Sequence, residues 1–201
     1  MQLMKRNGIL LALLALFVCG CQNEEPQGAK DSCGCFVKLL RGEYVLSEVH
    51  WSGTPVDLDG NGTAAYSLLQ MEYSHLLGYY EPKNKAEIVE FAPVSDGLSA
   101  LAVNVELPYP QYFKGETGWK VSGLSYLPLT IHLAYSGNEV RGETLSFQEK
   151  ENPESFVDGI TEICVTKSTP EELVLRLDCR MCGFATGELT KNYLYYTYVR
   201  R

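Results

Sequence analysis

The chain carries no catalytic signature: G-x-S-x-G, H-E-x-x-H, a P-loop and G-x-G-x-x-G are all missing. Histidine is scarce, and His50, His75 and His132 are too scattered to offer a metal an i, i+4 pair. Each is read most simply as a structural residue, His132 as a wet-face partner of Glu143. Glu87 with Glu90, and Glu171 with Glu172, are close in sequence only; without facing geometry they are solvated charges rather than an acid/base couple. Basic residues never cluster, and 17 Lys and Arg against 25 Asp and Glu leave a formal charge of −8. A nucleic acid or an anionic membrane surface needs a basic face to hold it, so neither is an expected partner. No apolar run reaches the roughly 20 residues that a bilayer-spanning helix needs. These absences predict a non-enzymatic protein with no resident cofactor.

The longest apolar run is "GILLALLALFV", Gly8 to Val18, behind the basic pair Lys5 and Arg6. Its length and flanks are those of a secretory signal. It ends in "VCGCQNEE", with small Gly20 directly before Cys21. This pattern resembles a bacterial lipobox, which implies cleavage before Cys21, diacylglycerol on its thiol and an acyl chain such as palmitate on its new amine. Cys19 is the competing acceptor, but it would place bulky Val18 at the cleavage position. Several acyl chains hold a protein stably, since each buried methylene contributes about 0.8 kcal/mol. Loss of residues 1–20 removes Lys5 and Arg6 and no acid, taking the charge from −8 to −10. Residues 21–41 begin "QNEEPQGAKDS" after the cysteine, polar and without periodicity, and are expected to form a flexible tether. Glu24 and Glu25 just after the lipidated cysteine resemble the export signal of surface-exposed lipoproteins in Bacteroides-type bacteria. The expected location is the outer membrane, lipid-anchored, on its periplasmic or exterior face.

Residues 42–201 are one domain's worth of chain, enough for a proper core, and they read as β. "GEYVLSEVHW" (Gly42–Trp51) is the first strand, followed by Ala86–Pro93 and Leu98–Leu107, where Leu101, Val103, Val105 and Leu107 alternate with wetter residues. "GWKVSGLSYL" and "LTIHLAYS" follow, divided at Pro128, which cannot donate to a ladder. Gly137-Asn138 predicts a hairpin with Tyr135 opposite Val140 and His132 opposite Glu143. Beyond it the apolar face swaps to Leu145 and Phe147, and a bulge at Gly142 is the expected correction. Ser168-Thr169-Pro170-Glu171 turns a second hairpin whose Leu173, Leu175, Leu177 and Cys179 share one face, and "NYLYYTYVRR" closes the chain as a last strand. The one helix predicted runs from Ala64 to about Leu77, on Tyr66, Leu69, Tyr73 and Leu76. Eight or nine short antiparallel strands predict a closed barrel, with a β-sandwich as the alternative.

"LLRGEYVLSEVHWSGTPVDLDGNGTAAYSLLQMEY", the hairpin "VTKSTPEELVL" and the terminal "YYTYVRR" resemble lipocalin-like lipoproteins of Bacteroides-type bacteria. Those have a G-x-W-type first strand, an acidic Gly loop, a meander of strands and a last strand ending in a basic residue. Here Gly42-Glu43-Tyr44 stands in place of the tryptophan motif. The resemblance implies a lipocalin-like barrel and a ligand-binding or interaction role.

Three groups of residues are candidates for chemistry. "PYPQYFKGETGW" reads as an exposed loop whose Tyr109, Tyr112, Phe113 and Trp119 present a stacking surface to a glycan, an apolar ligand or a partner protein. Tyr193, Tyr195, Tyr196 and Tyr198 are read as ordinary strand residues. Asp57, Asp59, Asn61 and Thr63, with Gly62 at the sharp turn, occupy positions one, three, five, seven and six of a calcium loop. The closing position is Leu68, and Glu72 comes four residues too late, so any calcium would bind weakly. The preferred reading of the same residues is an Asx turn that caps the following helix. Cys33, Cys35, Cys164, Cys179 and Cys182 are disulfide candidates in an exported chain, with fifteen connectivities for two bridges. Cys33 and Cys35 with Cys179 and Cys182 alternatively make a four-thiolate zinc set. The expected function is a non-catalytic, lipid-anchored binding protein; a solid barrel serving as a structural or assembly subunit is the alternative, and a hydrolase whose residues meet only in the fold the third.

Overall fold

A computed structural model of the chain describes residues 38–58, 61–70, 85–90, 101–116, 118–136, 139–148, 157–182 and 187–201. The signal, Cys21, Cys33, Cys35, Asp59, the Gly137-Asn138 turn and His75 lie outside the described residues. Nine strands form one antiparallel sheet: β1 (Gly42–Trp51), β2 (Lys85–Glu90), β3 (Leu101–Gly115), β4 (Gly118–Ser136), β5 (Glu139–Gly142), β6 (Thr144–Ser146), β7 (Glu162–Ser168), β8 (Glu172–Cys182) and β9 (Leu189–Arg200). Their order is β5-β4-β3-β2-β1-β9-β8-β7-β6, so consecutive strands pair except β5 and β6, which stand at the two ends, and β1 beside β9 joins the two halves. The sheet curls into a nearly closed barrel, and the sandwich alternative falls because there is one sheet.

Closure comes from one short stretch of chain. β5 pairs with β4, Tyr135 opposite Val140, and Glu143 N donates to His132 O at 2.8 Å. One residue later Thr144 pairs with Cys164 of β7. The expected bulge at Gly142 is therefore a change of partner: the strand leaves β4 and passes to β7. The side chain at 142 has to be absent, since a Cβ there would lie 2.6 Å from Val165 Cβ.

The interior is built by alternation. Leu173, Leu175, Leu177 and Cys179 of β8 and Leu194, Tyr196 and Tyr198 of β9 point inward and are fully buried, together with Tyr44, Val49 and Trp51 of β1. Burying a large aromatic or aliphatic side chain contributes about 1.5–3 kcal/mol, so this continuous cluster supplies most of the driving force for closure. The last part of the expected tether belongs to it: residues 38–40 form a helical turn, and Leu40 is fully buried against the barrel's end.

β3 and β4 form a far longer hairpin than the sequence predicts. They pair from Leu101 opposite Leu133 to Gly115 opposite Gly118, running through Pro108, Pro110 and Pro128. Among the described residues β2 covers β3 only as far as Val105, and none of them pairs with β3 on that side beyond it, where a missing N–H costs no ladder bond. Pro108 and Pro110 have the same parity and place their absent donors on the same side. The carbonyl of Pro108, outside the ladder, instead accepts the Tyr196 hydroxyl at 2.5 Å. The hairpin tip then reaches β8, which lies opposite β3 in the ring: Trp119 N donates to Gly187 O at 2.9 Å and Cys182 Sγ to Trp119 O at 3.3 Å. The hairpin thus crosses one mouth of the barrel.

The expected helix does not begin at Ala64. Val56 and Ala65 exchange backbone hydrogen bonds of 3.1 and 3.0 Å, Trp51 N donates to Tyr66 O at 2.8 Å, and Ser67 bridges His50. Residues 65–67 are extended because they lengthen the sheet beside β1, and only Leu68–Gln70 turn, as a 3₁₀ segment. Tertiary pairing overrides the helical spacing of Tyr66 and Leu69; residues 71–77 lie outside the described residues.

Candidate functional site

The expected aromatic loop is a strand pair, and its described aromatic side chains do not share one exposed surface. Tyr109 is buried in the core cluster, Trp119 is half-buried beside the core, and Phe113 is exposed at 47%. Tyr112 lies on β3, with its side chain outside the described residues. Tyr109 turns inward while Phe113 is exposed, so Tyr109 is a core residue and not the ligand contact expected of it. Lys114 Nζ sits 6.0 Å from the Trp119 ring centroid at the tip.

The loop after β1 is occupied by its own hydrogen bonds. Asp57 is 7% exposed, and its Oδ2 accepts from Gly62 N at 2.9 Å. Asn61 Oδ1 accepts from Thr63 N at 2.7 Å, and Gly62 takes the positive φ of 85° that a side chain resists. Two of the proposed oxygen ligands therefore face backbone amides, and the Val56–Ala65 bridge closes the turn behind them. The geometry is that of Asx capping. Among the described residues no group of three or more His, Cys, Asp or Glu converges on a point.

No disulfide joins Cys164, Cys179 and Cys182, which corrects the expectation of bridges among them. Cys179 and Cys182 are both buried, three residues apart on a strand, and Cys164 is on a different strand, opposite Arg176. Burial, with the nearby Asp178 charge, holds the Cys179 thiol well above its ordinary value, and burial lifts Cys182 to about 11. Cys164 is also raised by burial, partly offset by Arg176. Nucleophiles and zinc ligands need the thiolate, which these surroundings disfavour.

A different arrangement stands on the outer wall of β1, β9 and β8. Cross-strand pairing puts His50 opposite Tyr195, Tyr195 opposite Arg176 and Arg176 opposite Cys164, one transverse row of outward residues. At one end Tyr66 stacks on His50, with ring centroids 6.0 Å apart and planes 23° apart. Tyr193 lies 6.3 Å from Tyr195, tilted, and the Arg176 guanidinium sits over its ring at 5.0 Å. Tyr66 is 49% and Tyr193 39% exposed. Arg176 is ion-paired with Glu162, and Lys191 lies 3.9 Å from Asp178. Ser52 Oγ donates to Asn192 Oδ1 at 2.7 Å just beyond Tyr193.

Sequence reasoning missed this row for two reasons. Tyr193 and Tyr195 alternate with inward Leu194 and Tyr196, which looks like ordinary strand composition. Their neighbours Tyr66, His50 and Arg176 come from three distant segments. The usable signal was the Tyr-x-Tyr spacing on a strand whose other face is already apolar.

The opposite wall differs in charge. A groove of about 410 Å³ is lined there by Glu43, Lys85, Glu87, Asn104, Glu106 and Thr130. One lysine faces three carboxylates, and its nearest partner is Glu43 at 3.5 Å.

No protein-family model, curated protein or solved structure matches this chain.

Proposed function

We propose that the chain is a lipid-anchored, non-catalytic binding protein of the outer membrane, engaged by its ligand or partner from outside the barrel. The observation that carries this reading is how closely the described residues pack the interior. Tyr44, Trp51, Tyr196 and Tyr198, the largest side chains aimed inward, are each buried to 0% exposure and belong to one packed cluster. A pocket for a drug-sized molecule needs some 300 Å³ or more of concave space. Here the Leu40 turn packs into one end and the β3–β4 hairpin crosses the other. The aromatic row on the β1–β9–β8 wall is the contact surface, since Tyr and Arg are the side chains that most often carry binding energy at surfaces.

The anchor rests on the signal and the Gly20-Cys21 junction, and the location on the resemblance to lipocalin-like lipoproteins of Bacteroides-type bacteria. Among the described residues no helix is long and apolar enough to cross a membrane. Native mass spectrometry of the full protein from its own host tests both halves. The expected species is the chain from Cys21 onward carrying acyl chains and no apolar small molecule. An unprocessed or unacylated chain would remove the anchor, and a retained apolar ligand would remove the filled-barrel reading.

A further inference from the structure

The outer-wall row has the chemistry of a sugar platform. Tyr66, His50, Tyr195 and Arg176 stand on four adjacent extended segments, three strand spacings, about 14 Å in all. Tyr193 widens the row by one step along β9. A pyranose ring offers an apolar C–H face and a belt of hydroxyls. Exposed tyrosine rings accept the first, and groups that donate and accept hydrogen bonds accept the second. Glu48, Ser52, Asn192, Asp178 and Lys191 border the rings and supply both kinds of group.

Charge decides the class of ligand. The row's charged groups are matched: Arg176 with Glu162, Lys191 with Asp178, and Lys167 with Glu172 on the neighbouring strands. Arg180 stands opposite Lys191 on the same face. Among the described residues the cations Lys167, Arg176, Arg180 and Lys191 are balanced by Glu48, Glu162, Glu172 and Asp178, so the wall has no net positive charge to hold an anionic polymer on a chain whose formal charge is −8. A basic partner is better served by the opposite wall, where Glu43, Glu87 and Glu106 share one lysine. A protein interface would present a contiguous apolar centre with a polar rim. Here single rings alternate with polar groups along a line.

The platform is also held in place before anything binds. The sheet fixes the backbone, the guanidinium lies over Tyr193, and His50 stacks on Tyr66. Tyrosine has two side-chain torsions, so little rotamer freedom is lost on contact.

From these observations we infer that the row Tyr66–His50–Tyr195–Tyr193–Arg176 binds a neutral polysaccharide, laid across β1, β9 and β8. The inference rests on the reading of the protein as an externally engaged binding protein. Affinity electrophoresis of the full protein, in a detergent without a sugar head group, tests it against pullulan, hydroxyethylcellulose and mannan, with heparin as the charged control. The expected result is retardation by at least one neutral polymer and none by heparin. Tyr193→Ala and Tyr66→Ala should each weaken it about tenfold, Tyr193→Phe should retain it, and Glu87→Ala on the far wall should leave it unchanged. Thermal melting of each variant checks that the barrel is intact.

Retardation by none of the three neutral polymers, or retardation that survives Tyr66→Ala with Tyr193→Ala, overturns the inference. So does a co-purifying protein that Tyr193→Ala releases while no neutral polymer binds; that outcome leaves the externally engaged barrel standing. An apolar molecule retained in native mass spectrometry is the separate result that defeats the filled-barrel reading itself.

Discussion

The Arg200 guanidinium lies over the Tyr44 ring, its carbon 5.9 Å from the ring centroid. Around this contact the two ends of the domain are tied together. Arg200 Nη1 donates to Leu39 O and, at 3.2 Å, to Pro170 O, while Nη2 donates to Arg41 O at 2.7 Å. The Tyr44 hydroxyl donates to Leu40 O at 2.8 Å, with Thr169 O at 3.1 Å. One cation therefore serves three carbonyls from two segments and covers the aromatic floor of the barrel.

Arg200→Ala should cost about 2 kcal/mol, combining a partly exposed cation–π contact with charge-assisted hydrogen bonds. For a domain of this size that is a fall of about 4–8 °C in melting temperature. Arg200→Lys should recover less than half, because a single ammonium cannot fork across the Leu39, Arg41 and Pro170 carbonyls. Urea titration of both variants checks it, and equal stability of Lys and wild type would refute the fork.

Gly142 and Val165 set the seam of the barrel. Gly142→Ala puts a methyl 2.6 Å from Val165 Cβ and 2.7 Å from its Cγ2. The expected cost is about 1–3 kcal/mol, the range for overpacking. Val165→Ala in the same chain should restore part of it, giving a coupling above about 0.5 kcal/mol in a double-mutant cycle. Additive losses would mean that the seam is not where closure is decided.

Tyr196 and Tyr198 predict opposite outcomes for the same substitution. Tyr196→Phe removes the hydroxyl that holds Pro108 O at 2.5 Å and should cost about 1 kcal/mol. Hydrogen exchange should speed up in residues 106–127, the hairpin half that this bond pins down. Tyr198 is fully buried, and its Oη has no hydrogen-bond partner among the described residues. Tyr198→Phe should leave stability unchanged or raise it by up to about 1 kcal/mol, since an unmet buried hydroxyl carries a desolvation cost.

The buried thiols predict how stability responds to alkali. The Cys182 thiol, near 9 when unfolded, is pushed to about 11 by burial, and Cys179 and Tyr44 are also raised, chiefly by burial. The folded state therefore keeps protons that the unfolded state gives up, so stability is full below about pH 9 and declines as pH rises toward 11. Chemical denaturation between pH 7 and pH 10.5 should show that decline, and Cys182→Ala should flatten part of it. At pH 8 a thiol reagent should modify Cys164 before Cys179 and Cys182, which are fully buried. Reaction of all three at one rate would contradict the burial.

Much of the barrel was written in local pattern. Strand β1 falls on the predicted Gly42–Trp51, and Leu173 to Cys179 face inward as their alternation required. The turn at Thr169–Glu171 and the Tyr135–Val140 register followed from turn chemistry, which acts over a few residues. The departures arose where a neighbour distant in sequence was decisive. Residues 65–67 read as helix by spacing, yet they extend because His50 and Trp51 offered unpaired backbone beside them. Tyr109 read as a loop aromatic because two prolines bracket it, whereas Pro108 and Pro110 lie within the β3–β4 ladder and strand alternation turns Tyr109 into the core.

By itself, then, the sequence determined most of the strands, the inward faces of β8 and β9 and a barrel-sized meander, because alternation and turn chemistry are short-range properties of the chain. Only the tertiary structure decided the passage of the chain from β4 to β7 at Glu143, the hairpin across the mouth and the row from Tyr66 to Arg176. Each of these depends on which strands lie side by side, and residues 66, 50, 195 and 176 become neighbours only when β1 meets β9 and the sheet curls.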